Sequence, residues 1–95
     1  MEEQVKEIAN RMKRFLRYNK MLRDQYHVML VYTLPDEDPS QTEAEVACVK
    51  KMMPDIKLIP LEESDRVFQE IPDLPEPDVM KAYFDSMKGM IEWAK

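Results

Sequence analysis

Glycine is almost absent from this chain: Gly89 is the only one among 95 residues. Glycine supplies the positive-φ positions of tight hairpins and the bare backbone that cradles phosphates. Its scarcity excludes the glycine-rich nucleotide loops and argues against an all-β fold. Cysteine and histidine are as scarce, with Cys48 and His27 each standing alone. One thiol cannot close an internal disulfide, and one His with one Cys cannot build the usual zinc site. No metal or cofactor is expected, and Cys48 reads as a small buried residue in a reducing compartment. Proline is missing before Pro35 and then occurs seven times, so helix breaks belong to the second part of the chain.

Long apolar runs are missing too. The longest, Tyr26 to Leu34, is interrupted by His27 and Thr33 and falls far short of the roughly 20 residues that span a bilayer. The opening stretch MEEQVKEIANRMKRF lacks the apolar segment of a signal peptide. The expected setting is the cytoplasm, with no membrane partner. A chain of this length suits one domain, 1–95. With 44% hydrophobic and 35% charged residues, it has the balance of a folded chain rather than a disordered one.

The net charge of −5 is unevenly spread. Residues 1–34 hold seven basic and four acidic groups, giving +3, and residues 35–95 hold seven and fifteen, giving −8. No acid interrupts the run from Arg11 to Arg23. A basic face of Arg11, Arg14 and Arg17, interleaved with Phe15 and Tyr18, has the composition of a phosphate-binding surface. The acidity of the whole chain speaks against nucleic acid as a partner. Pairing of the basic segment with the acidic remainder, within one chain or between two copies, is the expectation.

Val5, Ile8, Met12, Phe15, Asn19, Leu22, Tyr26 and Met29 alternate in steps of three and four, which places them on one helix stripe. Ala9, Leu16 and Leu30 widen it, as on a helix facing a globular core. The spacing predicts a helix over about 2–34. Asn19 is the one polar residue on the stripe. It either sets register in a coiled coil or marks a break, with Met21 opening a second helix. Residues 26–34 are apolar on every side and are taken as continuing helix, although Val, Tyr and Thr also suit a strand.

PDEDPS over 35–40 is a turn with Ser40 as a natural N-cap. A helix over about 41–53 follows, with Ala44, Ala47, Cys48 and Met52 on its inner face. Asp36, Glu37 and Asp38 fail the calcium-loop pattern, which needs a glycine at the sixth position. A short helix over about 62–71 points Val67, Phe68 and Ile71 inward. A proline-rich linker spans 72–77, and a last helix runs over about 78–94, with Met80, Phe84, Met87, Ile91 and Ala94 as a second core stripe. The expected fold is all-α: a small bundle of three to five helices, with a long N-terminal helix and a C-terminal helix packing on it. The alternative is α/β, with a small βαβ unit whose strands lie near 26–34 and 56–61.

Nine methionines are the compositional outlier. Met fills irregular cores and also lines adaptable grooves for partner helices. The interaction candidates are Asn19, Tyr83, Met87, Met90 and Trp93, since exposed Trp and Tyr are common interface anchors. These features favour a non-catalytic helical interaction module, self-associating as a homodimer or binding another protein. One alternative is a small acidic regulator that occupies a basic groove of a nucleic-acid-acting protein. Another is a small metal-free helical enzyme centred on His27, Arg14 and Arg17, since His is the commonest general acid–base group. No small-molecule substrate is evident.

Overall fold

The computed structural model describes residues 2–94, with Ala94 described by its backbone alone. Helix α1 spans Glu2–Met21, with Glu2 and Glu3 in the first turn and Lys20 in the last, each on the side that the helix dipole favours. No break occurs at Asn19. The chain widens into one π-helical segment over Leu22–Tyr26, whose closing bond runs from the His27 N–H to the Leu22 carbonyl. His27 then adopts a left-handed conformation at φ 57°, a common way to stop a helix and turn the chain.

The helix expected to continue to 34 is therefore corrected. Residues Val28–Val31 form strand β1, which pairs in parallel with β2 over Lys57–Pro60, Val28 opposite Lys57 and Val31 opposite Pro60. Local propensity for Val and Leu does not separate helix from strand here; the partner strand does. Val28 and Leu30 point into the core, while Met29 and Val31 point to the opposite face. The structure thus unites both expectations: four helices, the last packed on the first, plus a minimal parallel sheet whose crossover is the second helix.

That crossover, α2, spans Pro39–Met52. Its N-cap is Asp38 rather than Ser40: the Asp38 carboxylate accepts the Ser40 N–H at 3.0 Å, and Pro39 opens the first turn. Pro54 prevents continuation beyond Met53. The inner face differs from the one expected. Ala44, Ala47, Cys48 and Met52 are exposed, and Thr42, Val46, Val49 and Met53 are half-buried. Both sets are apolar at helical spacing, so periodicity alone cannot choose between them. The Thr33–Thr42 hydroxyl bond at 2.8 Å ties α2 to the end of β1 in the observed rotation.

After β2, a 3₁₀ turn over Leu61–Glu63 leads into α3, Asp65–Glu70. Val67 is buried and Phe68 and Ile71 are half-buried, as expected. Helix α4 spans Pro77–Ala94. It buries Met80, Phe84 and Met87 against Phe15, Leu22, Leu30, Ile59 and Val67 in one core. Phe15 is central, meeting Tyr32 and Phe84 edge-on at centroid distances of 5.3 and 5.9 Å, the geometry aromatic rings prefer.

Asn19 has a role that neither expectation foresaw. Its side-chain amide donates to the Leu30 carbonyl at 3.2 Å, and its oxygen accepts the Leu30 N–H at 2.9 Å. In a parallel pair, alternate residues turn their backbone groups away from the partner strand. His27 bonds to Lys57 across the sheet, which leaves Leu30 facing the outer edge. Leu30 is fully buried, so water cannot satisfy it, and Asn19 stands in for a third strand. Replacing Asn19 with Leu leaves two buried backbone groups unpaired, at about 1–3 kcal/mol each. The expected outcome is a stability loss of about 2–6 kcal/mol by urea titration, with no change of oligomeric state.

Candidate interaction surface

The rings that join α1 to α4 fix the direction of the pair. Tyr18 lies beside Tyr83 and hydrogen-bonds Glu76, while Phe15 meets Phe84. The helices are therefore antiparallel, with the start of α1 alongside the end of α4. Core contact begins at Met12, and residues 2–11 of α1 are all exposed. At about 1.5 Å per residue, they form an overhang of about 15 Å.

The apolar stripe does not stop where the core stops. Val5 is 65% exposed, Ile8 47% and Trp93 90%. Met12, Met90 and Ile91 lie half-buried against the core. Spacing alone assigns Val5 and Ile8 to a core; they stay exposed because only the end of α4 reaches beside them and the other elements sit at the opposite end of α1. Of the expected interaction residues, Trp93 and Met90 belong to this free end. Met87 is buried, Asn19 closes the sheet edge, and Tyr83 is half-buried beneath Arg14, whose guanidinium lies 5.9 Å from its ring centroid.

Among the described residues, the expected pairing of the basic segment with residues 35–95 of the same chain is not made as ion pairs. Arg11 bonds Glu7 at 2.6 Å and Arg23 bonds Asp24 at 3.1 Å, both local contacts. Among the described residues, no ion pair joins α1 to residues 35–95. Lys13, Arg17 and Lys20 have no ion-pair partner there, and neither do Glu2 and Glu3. The acidic part is neutralised partly within itself, with Lys81 bridging Asp65 and Asp85 and Arg66 bridging Glu63 and Glu70.

Two other places carry polar groups. A cleft of about 370 Å³ opens between α1, β1 and α2, with Met29 and Val31 among its apolar lining and Lys20, Glu37 and Glu45 among its charged lining. Tyr32 also lines it; burial, then Glu37 and Glu45, push its phenol pKa up, so it stays protonated. The second place is the start of the sheet, where His27 Nδ1 lies 2.6 Å from Asp55. This contact ties the residues preceding β1 and β2 together. Arg14 and Arg17 are not gathered at His27: thirteen and ten residues of helix and turn separate them, a span of about 15–20 Å along the axis. No group of three or more metal-ligating side chains occurs among the described residues, and no helix there is long and apolar enough to cross a membrane.

No family model, curated protein or solved structure matches the chain.

The hydrogen bond from His27 holds the Asp55 carboxyl below its usual range, against the opposing effect of desolvation. A depressed carboxylate stabilises the fold above its ordinary pKa, and that contribution is lost as pH falls through the lowered value. The expected NMR titration places the Asp55 midpoint below the model-peptide carboxylate value in the wild type. In His27→Ala it returns to that value, and an unchanged midpoint would show that His27 is not its cause.

Proposed function

We propose that the chain is a non-catalytic protein-interaction module that self-associates through the free end of the α1–α4 pair. The observation that carries this reading is the continuation of the core stripe onto an uncovered overhang, with Val5, Ile8 and Trp93 at solvent. Single exposed apolar residues are ordinary. An apolar stripe that runs on from a core into solvent, on a chain that also exposes a tryptophan, is the composition of a docking surface.

Surface area supports it. A compact monomer of 11.3 kDa exposes about 5,700 Å², and this chain exposes 6795 Å². The excess, roughly 1,000 Å², matches the ~800 Å² that each partner contributes to a standard interface. The radius of gyration points the same way: 13.6 Å, where about 12.4 Å is usual for this length.

Light scattering coupled to size exclusion tests the reading over micromolar to millimolar protein. The expected mass rises from 11.3 kDa towards twice that value. Ile8→Ser combined with Trp93→Ser holds it at the monomer mass. Both positions are exposed, so folding stability should stay within about 0.5 kcal/mol per substitution. A wild type that stays monomeric throughout, or a double variant that dimerises as the wild type does, would overturn the proposal.

A further inference from the structure

The cleft between α1, β1 and α2 lies along the second half of α1, away from the free end, and self-association does not use it. We infer that this cleft binds a small zwitterion of the dipeptide class, its carboxylate facing Lys20 and Arg23 and its ammonium facing Glu37 and Glu45 across an apolar floor.

The shape follows from three elements. Leu16, Lys20 and Arg23 recur at helical spacing along α1 and the π segment, so they form one wall. Met29 and Val31 form the floor, being the β1 residues that point away from the core. The other wall is α2, where Glu45 and Val46 lie beside Thr42, with Glu37 in the turn before the helix. Helix α2 has no buried residue, so its side chains do not fill the space beside α1. The resulting volume of about 370 Å³ falls within the roughly 300–1,000 Å³ of small-molecule sites.

Charge in the cleft is sorted by wall. The α1 side carries two cations and the α2 side two carboxylates, and among the described residues no ion pair joins the two sides. Lys20, Glu37 and Glu45 have no ion-pair partner there, and Arg23 pairs with its neighbour Asp24. After burial, Glu37 and Glu45 both raise the pKa of the Tyr32 phenol, which places the two carboxylates on the same side of the cleft. The phenol oxygen is a further acceptor for an ammonium.

These features select the ligand. A molecule with one charge meets one wall and leaves the other wall's charges facing it unpaired. A single amino acid holds its ammonium and carboxylate on one carbon, too close together for two walls whose own charges do not meet. A dipeptide separates the two charges and brings apolar side chains to Leu16, Met29, Val31 and Val46.

Titration of isotope-labelled protein, followed by amide chemical shifts, tests this with leucyl-leucine as the probe. Saturable shifts are expected at Met29, Val31 and Val46, with a dissociation constant below about 1 mM for a ligand of this size. Capping either end, as N-acetyl-leucyl-leucine or as leucyl-leucine amide, should weaken binding about tenfold, because each cap removes one charge-assisted contact. Lys20→Met with Arg23→Gln should bind the free dipeptide no better than the wild type binds the amide. Glu37→Gln with Glu45→Gln should bind it no better than the wild type binds the acetylated form. Unmoved amides in α4 check that each variant keeps its fold. Cleft amides that do not shift, capped dipeptides that bind as well as the free one, or variants that keep the wild-type preference overturn the assignment. Self-association, read from molecular mass, stands or falls separately.

Discussion

The bidentate contact between Asn19 and Leu30 is the constraint on which the rest of the fold depends. A parallel pair of strands is normally buried in a larger sheet, where neighbours satisfy every backbone group. With two strands, Leu30 lies in the core with its N–H and C=O aimed away from β2 and no third strand to meet them. Asn19 closes that edge at 2.9 and 3.2 Å. It can do so only because α1 continues unbroken past it and the π segment returns the chain through His27. The helix, the turn and the strand are therefore one unit, and β2 pairs onto an edge that is already held in place.

From that unit the division of α1 follows. Its C-terminal half is clamped between β1 and α4 through Phe15, Tyr18 and Asn19. Along its N-terminal half only the end of α4 lies alongside, and the other elements are gathered at the opposite end. The overhang carries Val5 and Ile8 into solvent, and Trp93 of α4 is exposed as well. Among the described residues, the basic run of α1 forms no ion pair with residues 35–95, although Lys20 shares a cleft with Glu37 and Glu45. Apolar exposure and unpaired charge thus arise together, from one helix that is longer than the core it serves.

Much of the helical layout was legible in the sequence. The three-four spacing from Val5 to Leu22, and the matching spacing from Met80 to Ile91, mark the two long helices, although Asn19 left a break in the first open and the spacing ran on past its end. Proline marks the limits of α2 and the start of α4. Residues 26–34 were not legible, because an all-round apolar run suits a buried helix and a buried strand equally well. The inner face of α2 was not legible either: two apolar stripes compete, and the one through Thr42, Val46 and Val49 faces the sheet only because the crossover from β1 to β2 sets the rotation of the helix. Cys48 lies on the other stripe and is exposed for that reason. Of the candidate residues on α4, Trp93 was legible as an exposed aromatic, whereas Met87 and Tyr83 lie on the same helix but turn inward.

By itself, the sequence determined composition-level exclusions, the two long amphipathic helices and the split of charge between basic start and acidic remainder. These are local properties, set by spacing along the chain and by residue type. Tertiary structure alone decided that Asn19 caps a strand edge rather than pairing helices, that His27 turns the chain, and that Val5 and Ile8 are left uncovered. Each depends on which segment arrives from far along the chain to lie alongside. A helix stripe records that a residue seeks apolar surroundings; it does not record where along the helix the covering elements end.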